Sequence, residues 1–248
     1  MVGLVRRVAV AGIVATVLSP PIVAQQPSVE ETINGYYQAV GGLDRIRSVM
    51  SRRMTGHVTG TEGTEATVTL LLKRPMKMRS EFTVEGTTNI QAFDGDQAWM
   101  IAPMMGQTEP MQLPADIAEA VRGEADFDGP LVDYEQKGNR IRVLGTDEVE
   151  GVDAVKLEIT LQNGAVTIYY LDARSLLPIK TTSDRTVQGM PMHVETLLGD
   201  YREVGGLMVP FSIRILQGGE IQTLTIDTIE HNIAIDDALF RMPRSGGT

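Results

Sequence analysis

The alternation of apolar and polar positions changes period once along the chain. Over residues 29–40 (VEETINGYYQAV), Val29, Ile33, Tyr36, Tyr37 and Val40 recur at helical spacing and form one apolar stripe. Ser28 before them and Glu31 three residues on make a capping-box start. Gly41-Gly42 ends this helix, and residues 43–49 predict a second, shorter one. From Met50 the period becomes two. Residues 51–60 and 64–74 predict a hairpin around Thr61-Glu62-Gly63, followed by strands over 76–85, 87–93 and 97–102. Asp94-Gly95 supplies a tight turn between the last two.

Residues 103–138 interrupt this rhythm. Pro103, Pro110, Pro114 and Pro130 punctuate them, Ile117, Ala118 and Val121 share a helical face within 114–123, and 131–137 predicts a further short helix. A long insertion between strands is more often a lid or binding element than filler. Strands then resume over 140–144, 154–162, 165–171, 178–187, 192–201, 208–217 and 221–229, with Asn163-Gly164 as the strongest hairpin signal. Val155, Leu157, Ile159 and Leu161 alternate with polar neighbours, as do Val209, Phe211, Ile213 and Ile215, so these strands have one dry face and one wet face. The expected fold class is mainly β with a few helices. One large, curved antiparallel sheet, an incomplete β-barrel, is covered by a helical lid.

Residues 1–24 stand apart. Arg6 and Arg7 precede an apolar run over 8–18, Ser19-Pro20-Pro21 breaks it, and Ala24 offers a small residue, the order of a cleavable secretory signal peptide. Residues 25–248 then form a single domain in the periplasm. Removing residues 1–24 takes away two Arg and no acid, leaving 20 basic residues against 32 acidic ones, a net charge near −12. That sign argues against nucleic acid. With 42% hydrophobic and 22% charged residues among 248, the chain can bury a sizeable core. It has no Cys, hence no disulfide, no thiolate nucleophile and no acylation site of its own.

Candidate chemistry is sparse. His57, His193 and His231 lie in strand patterns without metal-ligand spacing, and Asp94/Asp96 and Asp126/Asp128 read as turn acids rather than a calcium loop. No nucleophile, zinc or phosphate-loop motif is present, so neither an enzyme nor a cofactor or metal site is expected. The informative stretch is 70–107. Met76, Met78, Met100, Met104 and Met105 cluster there with Phe82, Trp99 and Ile101, and Met is over-used where a surface adapts to varied apolar partners. Leu70, Leu72, Met78, Phe82, Trp99, Ile101, Met104 and Met105 are therefore the candidate lining of an apolar cavity. Counted by two, Arg74 shares the dry face of Leu70 and Leu72. Periodicity alone leaves it either seeking acceptors inside or turning to solvent before Pro75.

The segments LLLKRPMKMRSEF and IQAFDGDQAWMIAPMMGQ, with the later LDARSLLPIK and IDDALFRMP, resemble the LolA/LolB-like superfamily, the LolA-type outer-membrane lipoprotein carriers in particular. The resemblance runs over nearly all of residues 25–248. Two departures stand out: the lid region is rich in Met and Pro, and the chain is longer than the carriers of the type. The resemblance implies a hydrophobic cavity under a helical lid, with Arg74, in the position of the Arg of the KRP motif, latching that lid. It implies a monomeric carrier of lipid or lipoprotein acyl chains, working between an inner-membrane donor and an outer-membrane acceptor. The alternative is a sensor that uses the same cavity to signal to a membrane partner.

Overall fold

The computed structural model describes residues 27–61, 63, 65–187 and 190–244. The signal peptide expected over 1–24 lies outside them. The described chain opens with helix α1 (Val29–Ala39) and α2 (Leu43–Ser48). The Ser28 hydroxyl accepts from the Glu31 N–H, and the Glu31 carboxylate accepts from the Ser28 N–H, so the capping box forms as its sequence requires. Gly41 closes α1 at φ 115° with its Cα against the Gly206 carbonyl, where a Cβ would come within 2.1 Å of that oxygen. Only glycine lets the end of α1 dock there.

Among the described residues, thirteen strands form a single antiparallel sheet that does not close. They are β1 (Ser51–Thr59), β2 (Glu65–Lys73), β3 (Lys77–Val84), β4 (Thr87–Phe93), β5 (Ala98–Ala102), β6 (Gln107–Gln112), β7 (Arg140–Val149), β8 (Val152–Thr160), β9 (Val166–Asp172), β10 (Pro178–Val187), β11 (Met190–Val204), β12 (Leu207–Gln217) and β13 (Glu220–His231). Every neighbour in the sheet is a neighbour in sequence, except that β1 pairs with β13 at its centre. The free edges are consequently β6 and β7, which are consecutive in sequence. Residues 113–139 must therefore travel from one edge to the other. They do so across the face that carries α1 and α2. Leu113, Val121, Ala125, Phe127 and Val132 join Val40, Ile46 and Val49 in the main core, while Leu131 packs with Ile33, Leu157 and Leu171.

Two expectations are corrected. Residues 107–112 are a sheet strand rather than part of the insertion, because Pro110 sits on an edge where its missing N–H breaks no ladder. The covering segment is thus 113–139, with α3 (Ala115–Glu124) as its helix. Residues 131–137 form successive turns rather than a helix, with Leu131 and Val132 drawn into two different cores.

Candidate functional site

Residues directly opposite across an antiparallel ladder point to the same side. Leu72 faces Met78, Met78 faces Phe93 and Phe93 faces Ala98; all four are buried against the helices and the 113–139 segment. This is the inner face. The next row, Leu71, Arg79, Ala92 and Trp99, belongs to the outer face.

That register divides the expected lining. Leu70, Leu72, Met78 and Phe82 stand on the inner face, Leu72 and Met78 deep in its core and Leu70 and Phe82 half-buried. Trp99 and Ile101 stand on the outer face instead. The Trp99 indole is fully buried and donates to the Phe240 carbonyl at 2.7 Å. Met100, between them, points to the inner face, as Ala98 does. Met104 and Met105 lie in the 3-10 turn joining β5 to β6 and are solvent-exposed, Met105 at 78%.

Beyond the fully buried rows, the inner face is apolar yet incompletely covered. Met54 faces Leu70, Val68 faces Phe82, and Ile213 faces Leu224; all six are half-buried. Two positions of the same face on β12, Val209 and Phe211, are by contrast fully buried beneath the helices and the covering segment. The wall thus continues past its cover across the centre of the sheet. The sequence alternation of β12 marks the second half of this wall.

The cover is tied down at named points. Arg74 donates through Nε to the Val49 carbonyl (2.8 Å), through Nη2 to the Ile46 carbonyl (3.0 Å), and through both terminal nitrogens to Asp128 (2.6 and 2.7 Å). Its guanidinium also stacks 4.9 Å from the Phe127 ring. One residue therefore joins the end of β2, the end of α2 and the covering segment, in the bidentate geometry that arginine favours. Asp126 and Asp128, read in sequence as turn acids, are ion-pair partners: Lys137 donates to both oxygens of Asp126 at 2.7 Å and to the Gly129 carbonyl at 2.7 Å. Tyr37 of α1 donates to the Leu131 carbonyl (2.9 Å), and Arg47 of α2 pairs with Asp133. That Arg74 needs an acceptor was readable from its place on a dry face, but nothing in the sequence pointed to Asp128 as that acceptor.

Burial shifts several ionisable groups around the inner face and its cover. Glu124 of α3 keeps much of its surface open, yet the surrounding protein pushes its carboxyl above the ordinary range, with Arg185 opposing. Tyr36 and Tyr169 are half-exposed, but burial raises both phenols, Tyr169 to about 12. Arg52 on β1 is drawn down to about 10 by burial, against the pull of Asp128 and with the push of Arg74. Two depressions are present: one of about 840 Å³ between Met50, Lys73 and Ile233, and one of about 300 Å³ beside Met192 and Ile215, toward the far end of β12. Among the described residues, no group of His, Cys, Asp and Glu is arranged to hold a metal ion.

No protein-family model matches the chain, and no curated protein matches it in sequence. Solved structures do. A DUF1329 family protein from Desulfovibrio piger superposes with a TM-score of 0.60 at 12% identity, over 86% of this chain and 97% of that one. A LolA superfamily protein from Nitrosomonas europaea gives 0.56 at 14% identity, over 85% and 96%. An outer-membrane lipoprotein-sorting protein domain from Vibrio parahaemolyticus gives 0.55 at 12% identity, over 86% and 100%. The chain has a LolA-like fold.

Proposed function

We propose that this protein is an exported carrier that shelters the acyl chains of a lipid or lipoprotein on its inner face and moves them through the periplasm toward the outer membrane. The observation that carries this reading is the half-buried wall of Met54, Val68, Leu70, Phe82, Ile213 and Leu224, lying beside a segment tied down through Arg74. Contiguous apolar positions left only half-covered are where a sheet can take an apolar ligand. Two supports come from outside the geometry: the LolA-like fold, with one neighbour named for lipoprotein sorting, and the signal-peptide pattern of residues 1–24. Arg74 acts as the latch: while it holds Asp128, the covering segment stays against the core.

The energetics suit a carrier whose release is assisted. Each buried CH₂ is worth ~0.8 kcal/mol, so a chain of ~15 carbons contributes on the order of 10 kcal/mol, and unaided departure is slow. Opening of the cover by an acceptor would be the natural trigger. The test is extraction from vesicles of phosphatidylethanolamine and phosphatidylglycerol that contain a trace of acyl-labelled lipid. The reading expects label to move into the soluble fraction in proportion to protein, and Arg74→Leu to shed it faster. Label that stays with the vesicles at every protein concentration contradicts it.

A further inference from the structure

The inner face carries a cation whose terminal donors are unspent. Arg52 faces Leu72 across the β1–β2 ladder and holds its guanidinium 4.9 Å from the Phe127 ring. Its Nε donates to His231 Nε2 at 3.1 Å. Among the described residues its two terminal nitrogens donate to nothing, and no carboxylate lies within ion-pair reach. The nearby acids are already engaged, Asp128 by Arg74 and Asp126 by Lys137.

Two further donors stand on the same face. Tyr36, from α1, packs against both inner cores, and Tyr169, from β9, stands opposite the buried Leu157; Tyr36 also feels the charge of Arg52. Neither hydroxyl has a hydrogen-bond partner among the described residues. No buried side-chain nitrogen or oxygen among them is left unpaired, so these donors keep some contact with solvent rather than lying in dry core. Donors from three elements with no acceptor to match them suit an anion. The apolar wall begins at the next inner position along β1, where Met54 faces Leu70.

We infer that Arg52, assisted by Tyr36 and Tyr169, receives the carboxylate or phosphate head of an anionic amphiphile whose chain lies along the Met54–Leu70 wall. This rests on the acyl-chain reading above and names the class of ligand. Fully neutral lipids would leave the guanidinium unmatched and bind less well.

Calorimetric titration of the folded protein near neutral pH separates the possibilities, with oleate, oleyl alcohol, 1-oleoyl lysophosphatidate and inorganic phosphate as probes. Oleate should bind at least about tenfold more tightly than oleyl alcohol, the scale of one charge-assisted contact. Arg52→Leu should erase that ratio by weakening oleate alone, Arg52→Lys should restore part of it, and Tyr36→Phe with Tyr169→Phe should reduce it with Arg52 intact. Tighter binding of oleate or of lysophosphatidate identifies the head as carboxylate or phosphate. Equal affinity for oleate and oleyl alcohol in the unaltered protein overturns the head-group site while leaving the acyl-chain reading in place. Inorganic phosphate binding as tightly as lysophosphatidate overturns the amphiphile assignment. Failure of every amphiphile to bind overturns both readings.

Discussion

Strands β2 to β5 are covered on both faces by segments outside the sheet, and the two covers differ in kind. On the outer face, residues 232–241 are sealed in place. Phe240 and Trp99 are fully buried together, Lys73 and Lys77 both donate to Asp237, and Arg79 donates to the Leu239 carbonyl. On the inner face, residues 113–139 seal only the row of Leu72 and Met78 and leave Leu70 and Phe82 half-buried. The outer cover completes a core. The inner cover leaves apolar side chains half-buried, and the acyl-chain proposal rests on them. Adjacent residues serve the two sides: Lys73 holds the outer segment, and Arg74 the inner one.

The largest effect should come from breaking the outer seal. Trp99→Ala removes a fully buried indole and its hydrogen bond to Phe240, and should cost about 4 kcal/mol in chemical denaturation. Ligand bound per folded molecule should stay unchanged, since Trp99 is not on the inner wall. The next is Arg74→Leu, which strands a nearly buried Asp128 and two helix-end carbonyls, for about 3 kcal/mol. Unlike the first variant, it should speed acyl-chain release as well. A double cycle with Asp128→Asn should show non-additivity, because the two residues share one interaction. Third, Phe82→Ala should cost only about 1 kcal/mol, as Phe82 is half-exposed, yet lower chain affinity measurably in the same titration. An affinity loss from Trp99→Ala larger than that from Phe82→Ala would reverse the assignment of faces.

The smallest effect is one of pH, and it separates the covers again. Burial and the Arg52 charge depress His231 from 6.5 to about 4 in the folded protein. The unfolded chain therefore binds the extra proton first, and stability should fall as pH drops from about 6.5 to about 4. His231→Gln, which keeps an acceptor for Arg52, should flatten that slope in thermal melts. On the outer face, hydrogen bonds from Lys73 and Lys77 depress Asp237 to about 2 from 3.8. Its contribution is present above about 3.8 and is lost as pH falls through 2, below the His231 window.

Much of the fold was legible because the period of two is kept wherever one face is wet. The alternation in β8 and β12 placed Val155, Leu157, Val209 and Phe211 on the buried side, as the structure has them. Strand β5 was illegible in phase for the opposite reason. Both of its faces are covered, so Trp99, Met100 and Ile101 are all apolar, and composition cannot say which looks inward. Met104 and Met105 misled because Met also occupies exposed turns. Arg74 was legible as a residue in need of acceptors. Its partner Asp128 and the second arginine on the Phe127 ring, Arg52, were not, since 54 and 75 residues separate them from the groups they meet.

The central claim is that the inner face holds acyl chains. Its most direct test is native mass spectrometry of the protein recovered from periplasm without detergent, beside the Phe82→Glu variant, which puts a charge on the inner wall alone. The account predicts a co-purifying acylated species on the unaltered protein, released on denaturation and absent from the variant. Protein that emerges bare and takes up no added oleate, or a variant that carries the same species in the same amount, would contradict it.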